Sequence, residues 1–169
     1  MQLPVLSLTI WVPIIAGILV LFLNKDEHKA MARWAALVGA VLGLLVAIPL
    51  WTGFNASTAS LQFVQDIPWI NRFNIRYALG VDGISMPFIL LNSFTTILVV
   101  IAAWEVIEEK VAQYMACFLI LSGLMIGVFC ALDGILFYVF FEATLIPMYF
   151  LIGGFGGAEG LADYLRAER

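Results

Sequence analysis

Runs of about twenty apolar residues, separated by polar breaks, recur five times along the chain, at approximately 4–23, 31–52, 82–104, 112–131 and 134–153. A helix rises about 1.5 Å per residue, so each run can cross a hydrocarbon layer about 30 Å thick. The pattern predicts an all-α fold, a polytopic membrane helix bundle of about five transmembrane helices. Only the break at 53–80, GFNASTASLQFVQDIPWINRFNIRYALG, is long. Within it Leu61-Gln62-Phe63-Val64 and Phe73-Asn74-Ile75-Arg76-Tyr77 alternate apolar and polar side chains on either side of Asp66-Ile67-Pro68. That alternation predicts a short hairpin over the membrane face, with Trp69 and Tyr77 at headgroup level. The first run has no basic residues ahead of it and no small-residue cleavage pattern after it, so a retained first helix is expected.

Composition agrees with the pattern. The chain has 169 residues, of which 63% are hydrophobic and 12% charged, and its mean hydropathy is +1.04. A soluble domain of this length could not hide so much apolar surface behind so few charges, so the expected partner is the lipid bilayer. A net charge of −4 leaves no basic surface for nucleic acid. Orientation follows from the basic residues of the loops. Lys25, Lys29, Arg33, Lys110, Arg166 and Arg169 fall on one side, and only Arg72 and Arg76 on the other. The bias predicts an outside N-terminus, an outside 53–81 loop and an inside C-terminus.

Few residues offer chemistry. Cys117 and Cys130 fall in one predicted helix, roughly 20 Å apart along it, too far for a disulfide, and read as small hydrophobes. His28 lies in the polar loop Asn24–Lys29 and reads as solvated. No glycine-rich phosphate loop, CxxC pair or GxSxG elbow occurs, so the expectation is that this chain binds no cofactor or metal and supplies no redox chemistry. Gly39–Gly43 and Gly123–Gly127 form small-xxx-small faces for close helix approach, and Asn92, Ser93, Thr95 and Thr96 are candidate interhelical hydrogen-bonding residues. Asp82 and Asp133 stand where helices begin and read as N-caps, with pairing to Arg72 or Arg76 also open to Asp82. Glu105, Glu108, Glu109 and Lys110 read as a solvated loop cluster.

Glu142 is different. Counted from Gly134 it lies eight residues into the fifth run, about 12 Å deep, where a charge costs at least about 2.5 kcal/mol. Such a site must protonate, pair or face water, and each option suits a proton relay; a purely structural hydrogen bond to a neighbouring helix is the competing role. Tyr138 and Tyr149 share its helical face. Pro147 leaves the Ala143 carbonyl without its helical donor, which predicts a kink and a hydration site beside Glu142.

Leu79-Gly80-Val81-Asp82-Gly83-Ile84-Ser85, followed by Phe137-Tyr138-Val139-Phe140-Phe141-Glu142-Ala143-Thr144-Leu145-Ile146-Pro147-Met148-Tyr149, resembles the subunit M (chain 4) family of proton-translocating NADH-quinone oxidoreductase, or complex I. The resemblance covers residues 1–155, the N-terminal part of an antiporter-like fourteen-helix subunit. It implies a membrane-arm subunit coupling electron transfer from NADH to quinone with proton pumping. NADH, FMN, iron–sulfur clusters and quinone then belong to the complex, the partners are its other membrane-arm subunits, and the location is a bacterial plasma membrane rather than a mitochondrial one. It assigns proton translocation to Glu142, paired with a lysine of a later helix, with Tyr138 and Tyr149 in support. Residues 156–169 depart from the family as a short polar tail, and the expectation is of a truncated or partial subunit. A helical membrane assembly protein, or a subunit of a multisubunit sodium/proton antiporter, are the competing functions.

Overall fold

The computed structural model describes residues 4–24 and 28–155. Five helices follow in order: α1 (Val5–Leu21), α2 (Lys29–Thr52), α3 (Ser85–Val106), α4 (Val111–Cys130) and α5 (Gly134–Phe155). Between α2 and α3 lie the antiparallel strands β1 (Gln62–Ile70) and β2 (Ile75–Val81). Helices α2 to α5 are long and apolar enough to cross a membrane, and α1, with 17 residues, is at the short limit for doing so. The protein is a multi-pass membrane protein built as the expected helix bundle. The tail 156–169 and Lys25 lie outside the described residues.

Helix α4 is the axis of the bundle; α1, α2, α3 and α5 all pack on it. Its Met115, Ala116, Leu119 and Ile126 are fully buried. The glycines bring the backbones together. A Cβ on Gly123 would stand 2.5 Å from the Ile10 carbonyl oxygen of α1, and one on Gly39 would stand 2.6 Å from Ala16 Cβ. The two glycines of the α4 pair serve different neighbours, since Gly127 faces the Phe140 ring of α5. Of Asn92, Ser93, Thr95 and Thr96 on α3, two bridge helices. Asn92 Nδ2 donates to the Ser122 carbonyl and hydroxyl of α4, both at 3.0 Å, and Thr96 Oγ1 lies 2.8 Å from Ser122 Oγ. Ser93 bonds back to the Ile89 carbonyl of its own helix.

The hairpin is longer than its alternation predicts. Asp66-Ile67-Pro68 lies within β1, paired to Ala78, Tyr77 and Arg76, and the reversal falls at Asn71–Phe73 with Asn74 left-handed at φ 52°. Pro68 is tolerated because each strand of a two-stranded sheet has a free edge. Arg76 Nε pairs with Asp66 at 2.5 Å rather than with Asp82. Tyr77 is tied to the bundle: its hydroxyl is 3.2 Å from Ser7 Oγ and 3.3 Å from Trp11 Nε1, which fastens the hairpin to α1. On the far side, Leu132 N–H donates to the Ala78 carbonyl at 2.8 Å and Arg76 N–H donates to Asp133 at 3.2 Å. The hairpin thus clamps the start of α1 to the α4–α5 junction.

Both predicted caps are present. The Asp82 carboxylate accepts from the N–H groups of Ser85 (2.7 Å) and Ile84 (3.1 Å), while Asp82 N–H donates back to Ser85 Oγ at 3.0 Å. This is a capping box with serine in the return position. Asp133 accepts from Ile135 (2.8 Å) and Leu136 (3.1 Å) at the start of α5. The Ser85 bonds hold Asp82 below its usual carboxylate range, and the Leu136 and Arg76 bonds do the same for Asp133. A depressed folded pKa stabilises the fold above the unfolded value, about 3.9, and that stabilisation is lost as pH falls through the folded value. Thermal melts are therefore expected to lose midpoint below about pH 4, and to do so less steeply in Asp82→Ala, which has already lost one of the two carboxylates.

Candidate functional site

Helix α5 is apolar on every side, so its packing face is set by contact rather than by composition. Leu136, Phe140 and Pro147 are buried, with Ala143 and Thr144 half-buried between them. At about 100° per residue these positions form one stripe against α4. Glu142, Tyr138 and Tyr149 lie about 180° from it, within about 20° of one another's mean direction. All three are exposed, Tyr138 at 57% and Tyr149 at 75%. The structure therefore gathers the three residues on one face, directed out of the bundle.

No hydrogen bond or ion pair reaches the Glu142 carboxylate from the described residues. Their basic side chains stand at the two ends of the helices: Lys29, Arg33 and Lys110 at one, Arg72 and Arg76 at the other. A compensating cation at mid-depth is thus absent among them. Pro147 points away from Glu142, into the α4 contact, and α5 runs unbroken through it. The proline-freed carbonyl belongs to Ala143, a half-buried residue one position from Glu142. Thr144 Oγ1, unremarked in the sequence reading, bonds the Phe141 carbonyl at 2.6 Å, a local helix contact. Cys117 and Cys130 are free thiols, both on α4. No cluster of metal-ligating side chains occurs among the described residues.

What this face defines is a membrane bundle with a carboxylate that has no partner among the described residues, and two phenols, turned away from its own core. Its family follows from comparison with known proteins. The model of NADH-ubiquinone oxidoreductase chain 4, amino terminus, matches residues 37–131. NADH-quinone oxidoreductase subunit M of Rhodobacter capsulatus is 43% identical over 157 residues, covering 91% of this chain and 30% of that protein. NADH-ubiquinone oxidoreductase chain 4 of Arabidopsis thaliana is 38% identical over 154 residues, covering 91% and 31%. Among solved structures, a chain of respiratory complex I from Thermus thermophilus with bound NADH superposes with a TM-score of 0.69 at 28% identity, over 84% of this chain and 27% of that one. The chain belongs to the subunit M / chain 4 family of NADH-quinone oxidoreductase. It spans about a third of the length of the curated relatives it matches.

Proposed function

We propose that this chain is the N-terminal part of a proton-translocating membrane-arm subunit of a NADH-quinone oxidoreductase, in which Glu142 carries protons. The observation that carries this reading is the orientation of α5: its one acid sits at mid-depth on the face opposed to the buried stripe. A carboxylate left there against hydrocarbon is costly, so the face requires a polar or cationic cover from the rest of the assembly. The relatives continue for about two-thirds of their length beyond the matched region, room enough for helices that supply one. Covered in this way, Glu142 titrates according to the distance of its cationic partner and the water around it, as a proton relay requires. Tyr138 and Tyr149 flank it as hydroxyls able to pass or orient a proton. The hairpin side faces outward and the Lys29/Lys110 side inward, by the distribution of basic residues. Redox centres reside on partner subunits.

Co-purification tests membership. A tagged chain is expected to bring down NADH-oxidising and quinone-reducing subunits, and its deletion to remove NADH-driven proton uptake by membrane vesicles. A stable product without those subunits would favour an assembly protein, and sodium-dependent proton exchange without NADH would favour an antiporter subunit.

A further inference from the structure

The last carbonyls of a helix lack donors within it, and they leave partial negative charge at that end, which a basic residue in the last turn would offset. The last turn of α3 has no basic residue and carries Glu105 instead, with Glu108 and Glu109 in the connection to α4. A cation arrives from another helix. Arg33, the fifth residue of α2, donates from Nη2 to the carbonyl of Ile107, which caps α3, at 2.9 Å. Its Nε is buried without a hydrogen-bond partner among the described residues, so the guanidinium is placed by the α3 contact rather than by saturation of its own donors. One residue on, Trp34 meets Trp104 of α3 edge to face with ring centroids 5.1 Å apart, a second rung across the same seam.

The connection that Arg33 holds is short and strained. Residues 107–110 join the two helices, with Ile107 extended and Lys110 left-handed at φ 49° where α4 begins. A left-handed residue other than glycine persists where its surroundings hold it. Ile107 packs against the buried cluster that contains Ala32, Ala103 and Val111, one residue from each helix of the seam and of the axis. We infer that Arg33 is the positioning residue of this connection. It caps α3 from α2, its charge offsets the negative end of that helix, and its hydrogen bond fixes Ile107 and with it the left-handed entry into α4. The pattern of basic residues counts Arg33 only as a loop cation; the bond to Ile107 gives it a place in the fold.

Hydrogen–deuterium exchange, read by mass spectrometry on the full chain in its membrane assembly, tests this. Arg33→Met keeps the apolar stem and removes the charge and the donors. It is expected to speed exchange of the amides at 104–107 about five-fold, the scale of one charge at a helix C-terminus. Arg33→Lys, which keeps the charge, should return most of the protection. In a Glu105→Gln background the same Arg33→Met change should matter less, about two-fold, because less negative charge needs offsetting. Exchange at 104–107 unchanged in Arg33→Met would overturn the inference, and so would Arg33→Lys behaving as Arg33→Met does. An increase confined to the start of α2 would give the charge to that helix's own end and overturn it equally. Where Arg33→Met alone fails to accumulate, recovery on adding Glu105→Gln supports the offset of charge, and no recovery counts against it.

Discussion

Glu142→Gln is expected to abolish NADH-driven proton uptake by vesicles carrying the assembled oxidoreductase, and to slow the coupled reduction of quinone, while leaving the complex intact. Glutamine matches glutamate in shape and in helix propensity, so α5 should form and pack as before. The substituted side chain faces away from Leu136, Phe140 and Pro147, which make the α4 contact. What changes is the capacity to hold or release a proton at mid-depth. Loss of pumping with normal subunit content therefore separates proton handling from assembly. A variant that pumps near the normal rate sinks the assignment of Glu142, and one that sheds its partner subunits supports a hydrogen-bonding role instead. Tyr149→Phe, which removes only a flanking hydroxyl, should reduce uptake by a smaller factor in the same assay.

The second large effect is structural. Gly123→Ala should destabilise the bundle by about 1–3 kcal/mol, because its new methyl meets a backbone carbonyl that cannot swing aside. That methyl would lie 2.5 Å from both the Ile10 carbonyl oxygen and Ile14 Cγ1. Gly43→Ala is the matched control. It belongs to the other small-xxx-small face, yet its Cβ would meet Pro13 at 3.8 Å, an ordinary van der Waals contact. Removing a mid-helix glycine there should be neutral or stabilising. Thermal unfolding in detergent is expected to separate the two by several degrees, with equal midpoints sinking the account of the α1–α4 contact.

These two glycines illustrate what the sequence could and could not say. Hydropathy located all five helices because a bilayer admits so few backbone arrangements. The acidic caps were legible as well, since Asp82 and Asp133 sit where the first free N–H groups of a helix require acceptors. Which glycine is tight was hidden, because both occupy the same motif and only the approach of α1 distinguishes them. The packing face of α5 was hidden for a related reason: with apolar residues all round, period carries no information about direction. Glu142 could be found by its cost, and its outward aim only from the buried positions around it. The hairpin bounds were misread at Pro68, a residue that interrupts a central strand but not a two-stranded ribbon. Asp66 then sits within the pairing, across from Ala78 and near Arg76, whose charge it takes.

The clamp formed by the hairpin also has a schedule. Its contacts with α1 join residues already made when β2 leaves the ribosome, whereas Asp133 follows Arg76 by 57 residues. At roughly 5–20 residues per second, translation needs about 3–11 seconds to cover that interval. During it α3 and α4 enter the membrane while the β2 edge near Arg76 and Ala78 stands open to water. Closure of the cap is thus a late event in biogenesis, completed only once the α4–α5 junction that carries Asp133 has been made.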